Sequence, residues 1–313
     1  MKHNPTHPHN RRISPARIYS PCAIIAFILF TTFTLSAYAD NATTTWNATA
    51  PDISAWTGTG NTVNITGAPT GTLTVPTNTT VTITGAVTGG GQIIINTASC
   101  AKVIWNADYS GSAAIATPMI DVRGSGEFVL TGGTIQKSGT EGYAIMARSP
   151  ITMEGGTVQS SGSNSFSINV QNTMLTINGG TVTSSGAYAI YAFGFSAAVI
   201  INGSAVQATG NATIAIDIRS TSSVTVTGGT VSAQTNLAIA GTGSITITGG
   251  FVFAKGTGSS NVIAAPYTRN GSSVVAAWNT SVAGPYIPGT ATGLTVDPAR
   301  LSQRHRMTLR INN

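Results

Sequence analysis

Histidine is missing from the body of this chain: none stands between His9 and His305. The commonest general base and metal ligand is thereby removed, and no cofactor or metal centre is expected. Cysteine is nearly as scarce. Cys22 and Cys100 are the only two, and only Cys100 follows the leader described below, so no intramolecular disulfide is expected in the exported chain. Charged residues make up 8% of the sequence, which leaves hydroxyls and amides to cover the surface. With four basic leader residues set aside, 11 Lys and Arg face 9 Asp and Glu. Four of those arginines (Arg300, Arg304, Arg306, Arg310) crowd the last 14 residues. No basic stripe remains, which argues against a nucleic-acid partner. After residue 39 no apolar run approaches the roughly 20 residues of a membrane span, and no amphipathic helical period appears. Nucleophile elbows, phosphate loops and cysteine clusters are absent as well.

Residues 1–39 have the build of an export signal. Lys2, Arg11, Arg12 and Arg17 form a positive leader, Cys22 to Leu35 is apolar, and Ala37-Tyr38-Ala39 supplies a small-residue cleavage site. The expected destination is the cell surface or the medium, with no membrane insertion once the signal is removed. Residues 40–62, with Trp46 and Trp56, suit an N-terminal cap; residues 266–296 read as an irregular C-terminal cap and 297–313 as a basic tail.

Between the caps, over 63–265, a phrase recurs. It reads Phe128-Val-Leu-Thr-Gly-Gly-Thr-Ile135, then Ile151-Thr-Met-Glu-Gly-Gly-Thr-Val158, then Leu175-Thr-Ile-Asn-Gly-Gly-Thr-Val182, and it returns from Val199, Val224 and Ile245. Its first glycines stand at 132, 155, 179, 203, 228 and 249, steps of 21 to 25 residues. A fixed period of that size marks stacked units that bury their apolar sides against each other. Strict alternation of β-branched residues, as in Val224-Thr-Val-Thr227, marks a strand with one buried face. The Gly-Gly pair allows a sharp corner, and a second short strand follows. A third begins at Ile120, Ile145, Ile168, Ile190 and Ile216. Three strands per coil give an all-β fold: a single-stranded, right-handed parallel β-helix, expected as a monomer.

This repeated phrase, in coils of this length behind an export signal, resembles bacterial secreted and surface right-handed β-helix proteins of pectin-lyase-like architecture. That group includes adhesin-like and carbohydrate-binding members. The resemblance implies the architecture, and with it either glycan binding or catalysis on polysaccharides. No catalytic motif of the group can be laid onto particular residues here.

Stacking in register turns outward residues into columns. On the first strand only Glu154 is acidic, too little for the several carboxylates of a Ca²⁺ site. Asp121 and Asp217 share a third-strand column four coils apart, about 19 Å at ~4.8 Å per coil. Glycoside hydrolysis needs carboxyl groups about 5–9.5 Å apart. Asp108, Glu127 and Glu141 are expected in turns. The third strand places Asp121, Met146, Asn169, Tyr191 and Asp217 in one outward column and Arg123, Arg148, Gln171, Phe193 and Arg219 in the next. Rings, amides, guanidinium and carboxylate groups together suit a polysaccharide or cell-surface glycan, and the candidate ligand residues are Arg148, Asn169, Gln171, Tyr191, Phe193, Asp217 and Arg219. The alternatives are a polysaccharide-degrading lyase or hydrolase, a structural spacer, and an ice-binding threonine grid. The grid is interrupted by Val129, Ile200 and Glu154.

Overall fold

The computed structural model describes residues 41–210, 213–256, 262–271 and 273–279. The leader, Cys22, the basic tail and most of the C-terminal cap lie outside them. Every described strand pairs in parallel with the strand one coil away, from Thr43–Trp46 to Val274–Asn279. The result is a right-handed β-solenoid of about ten coils, roughly 23 residues each, without a helix among the described residues. Coil strands continue on both sides of the 63–265 span. Thr43–Trp46 pairs with residues 62–65 at one end, and Tyr267–Arg269 pairs with residues 245–247 at the other.

Each coil has three faces. The first carries Ile151–Met153, Met174–Ile177, Ala198–Ile201, Ser223–Val226 and Ser244–Ile247; the second carries Thr157–Ser160, Thr181–Ser184, Ala205–Ala208 and Thr230–Ala233. The Gly-Gly pair separates these two faces, and its second member holds the left-handed turn: Gly133, Gly156, Gly180, Gly229 and Gly250 have φ between 72° and 83°. In the earlier coils no such pair stands at this corner, and Thr79–Gly90 and Lys102–Gly111 run across both faces as single long strands. The third face is an eight-stranded sheet that starts at the edge strand Gly71–Val75 and ends at Ile239–Gly241.

Inward columns are almost wholly aliphatic. Ile93, Ile120, Ile145, Ile168, Ile190, Ile216 and Ile239 stack in seven consecutive coils, each without exposed surface. The residue before each of the later six is also buried: Met119, Ala144, Ser167, Ala189, Ala215 and Ala238. Two successive buried residues interrupt the alternation of the third strand. Trp46 and Trp105 are core residues, and Trp56 packs against the core.

Two expectations change here. Asp108 sits within a strand, and its Oδ1 accepts a hydrogen bond from the Thr134 amide at 2.8 Å. Glu127 opens a strand, accepts from Thr152 Oγ1 at 3.2 Å and pairs with Lys102 at 3.3 Å. Their chemistry is coil-to-coil bonding.

Candidate ligand-binding face

The third sheet brings the expected columns together. Asp121, Met146, Asn169, Tyr191 and Asp217 are direct neighbours in successive strands, and Gln171 pairs with Phe193. Arg148 follows the strand Gly142–Ala147, its amide bonded to the Val122 carbonyl at 2.9 Å.

Their exposure differs from the expectation. Asp121 (2%), Met146 (7%), Asn169 (7%) and Asp217 (0%) are buried although alternation points them away from the core. Alternation fixes the side of the sheet a residue occupies, but not how far long neighbours fold across it. Arg123 donates to Asp121 Oδ2 from Nε at 2.9 Å and from Nη2 at 2.6 Å, and Arg148 Nη1 lies 3.8 Å from the same oxygen. Arg219 repeats the pattern on Asp217 Oδ2, at 3.0 Å and 2.7 Å. In both dyads the other carboxylate oxygen, Oδ1, is buried without a partner. The hydrogen bonds to Asp121 and Asp217 raise the affinity of Arg123 and Arg219 for their protons, so both guanidiniums stay charged.

Three residues that the column pattern did not reveal complete the face. Tyr143, Phe166 and Tyr188 stand opposite one another in three successive coils, with ring centroids 5.3 Å and 5.1 Å apart and planes within 20°. Tyr191 lies beside Phe166 and Tyr188, at 5.6 Å and 5.8 Å, and Phe193 extends the stack from Tyr191 at 6.5 Å. Offset stacking of this kind contributes about 0.5–1.5 kcal/mol per pair beyond simple burial. Burial and then the charge of Asp217 push the Tyr191 phenol up from its ordinary range, so it remains a neutral donor. The missed signal is an aromatic–small–Ile triplet: Tyr143-Ala-Ile145, Phe166-Ser-Ile168, Tyr188-Ala-Ile190.

Tyr143, Phe166, Tyr188 and Tyr191 are half-buried. Phe193, 43% exposed, and Phe195 beyond it, 86% exposed, carry open ring surface at the corner that follows. Asp121 and Asp217 remain four coils apart, about 19 Å at ~4.8 Å per coil, too far to flank one glycosidic bond. Among the described residues no group of three His, Cys, Asp or Glu side chains converges on a metal position.

The acidic residue of the first face has a structural partner. Glu154 Oε1 accepts from Asn178 Nδ2 at 2.9 Å, at the end of a ladder that continues through Asn202 and Thr227. No family model, curated protein or solved structure matches the chain.

Proposed function

We propose that this chain is a non-catalytic β-helix protein, secreted or held at the cell surface, that binds carbohydrate on its third face. The observation that carries the reading is the five-ring cluster from Tyr143 to Phe193 packed beside the Asp217–Arg219 dyad. Ring surface and neutral, paired polar groups on one rigid sheet suit sugars, which present apolar C–H faces and hydroxyls that both donate and accept. Register holds these groups in place before any ligand arrives, which lowers the ordering cost of binding.

The test is a glycan array with the full chain, followed by titration of each hit. Tyr191→Ala combined with Phe193→Ala should weaken binding at least about tenfold, near 1.4 kcal/mol, without shifting the unfolding midpoint enough to depopulate the fold. A double variant that retains every interaction of the parent would show that this face is not the binding surface. Release of shorter products from the bound polysaccharide would instead identify an enzyme.

A further inference from the structure

The third face does not end in flat sheet. At its edge strand, Gly71–Val75, a cleft of about 560 Å³ opens between that strand and the segment 50–54. This volume falls within the roughly 300–1,000 Å³ of small-ligand sites. Thr72, Thr74, Thr77 and Ser54 line it with hydroxyls, Asp52 adds a carboxylate, and Pro76 adds an apolar wall. No Lys, Arg or His is among its lining residues. Asp52 Oδ1 accepts from the Ser54 amide at 2.9 Å, which holds the carboxylate in place and keeps it ionised.

The cleft and the aromatic cluster lie on one track. Thr72 pairs with Ile94, Ile94 with Asp121, Asp121 with Met146, Met146 with Asn169, and Asn169 with Tyr191. Beside that column, Thr74 pairs with Asn96 and Asn96 with Arg123. Five coil steps separate the Thr72 rung from the Tyr191 rung, about 24 Å at ~4.8 Å per step. Gly71–Val75 has no further strand of its sheet beyond it, so the track stops at the cleft.

We propose that the cleft is the terminal subsite of this track: it takes the end ring of a neutral oligosaccharide whose following rings run toward Tyr191 and Phe193. The inference rests on the carbohydrate-binding reading above and adds the end of the chain and its charge. Four hydroxyls and one carboxylate form a set that accepts more hydrogen bonds than it donates, which suits hydroxyl donors. An acidic sugar would face the Asp52 carboxylate without a cation among the lining groups, and like charges repel, an effect that salt screens because Asp52 is exposed. Along the track, Arg123 and Arg219 are already held by Asp121 and Asp217, and Arg148, 3.8 Å from the same Asp121 oxygen, leaves one positive charge in excess there, so discrimination against acidic sugars falls to Asp52 in the cleft.

Calorimetric titration of the full chain tests this with linear gluco-, xylo-, manno- and galacto-oligosaccharides from disaccharide to octasaccharide, and with oligogalacturonides of equal length. The affinity for one neutral series should rise with length, and Thr72→Val with Thr74→Val should lower octasaccharide affinity about tenfold. Asp52→Asn should weaken the same octasaccharide and improve the oligogalacturonide. Tyr191→Ala should combine with the cleft variant additively in free energy, because the two sites share no partner. If the threonine variant binds as the parent does while Tyr191→Ala weakens binding, the cleft subsite is overturned and the face reading stands. Tighter binding of oligogalacturonides than of every neutral series overturns the neutral assignment. No binding by any oligosaccharide overturns the face reading itself.

Discussion

Asn202 donates its side-chain amide to the side-chain carbonyl of Asn178 at 2.8 Å, one coil below it. Asn178 in turn donates to Glu154 Oε1, and Thr227 Oγ1 lies 2.7 Å from Asn202 Oδ1. The ladder runs along the corner that each Gly-Gly pair turns, so side chains as well as backbone tie neighbouring coils. Asn178→Ala removes one accepting and one donating link and should lower stability by about 1–2 kcal/mol in urea denaturation. Asn178→Asp should cost more, because it sets a second carboxylate against Glu154. Added salt should recover part of that extra loss, since the site is exposed and screened.

The isoleucine stack predicts a graded response. Ile168 lies between Ile145 and Ile190 with no exposed surface. Ile168→Val should destabilise by about 0.5–1.5 kcal/mol and Ile168→Ala by about 2–5 kcal/mol, measured by chemical denaturation. Equal effects for the two variants would mean that the column is loosely packed.

Gly180 holds φ at 83°, and a Cβ built there would lie 2.5 Å from the Gly156 carbonyl oxygen. Gly180→Ala therefore meets both left-handed strain and a backbone clash, and should cost more than about 1–2 kcal/mol. Ser204 occupies the same place in the next coil and is not among the residues with positive φ, so that corner is built differently. Ser204→Gly should change stability far less than Gly180→Ala, a contrast that one pair of thermal melts decides.

Alkaline pH reports on two interior groups with opposite signs. Burial lowers the Lys137 pKa from 10.5, and its Nζ reaches the Ala113 carbonyl at 3.1 Å. Between the lowered folded value and 10.5 the unfolded chain binds more protons, so this group makes stability rise with pH. Burial pushes the Tyr109 phenol up to about 12 from 10.0. Between those values the folded chain binds more protons, and stability falls as pH rises. Lys137→Met should remove the rising limb and Tyr109→Phe the falling one in denaturation curves taken across that range.

Coil period and register were legible because aliphatic and glycine positions repeat on every turn and backbone pairing must follow them. The third-face columns came out in the order expected for the same reason. What one column cannot reveal is how side chains lean. Arg123 and Arg219 fold back on Asp121 and Asp217, two residues away, and this local choice hides carboxylates that alternation alone would leave in water. Tyr143, Phe166 and Tyr188 escaped notice because a double inward step, such as Ala189–Ile190, shifts the phase of alternation ahead of the column residue. The cleft was illegible for another reason: Asp52 and Thr72 meet only through folding of the early coils, where no Gly-Gly phrase marks the turn.

The two dyads predict an asymmetry between partners. Asp217 has no exposed side-chain surface, whereas the Arg219 side chain is 46% exposed. Arg219→Ala strands a carboxylate inside the face, a change that typically costs about 3–5 kcal/mol. Asp217→Ala instead leaves a guanidinium that can reach water, so its loss should be smaller. Replacing both residues with alanine removes the stranded charge and should be milder than Arg219→Ala alone. Denaturation of the three variants closes the cycle. A double variant at least as damaged as Arg219→Ala would mean that packing by the arginine stem, and not the buried charge, governs this part of the face.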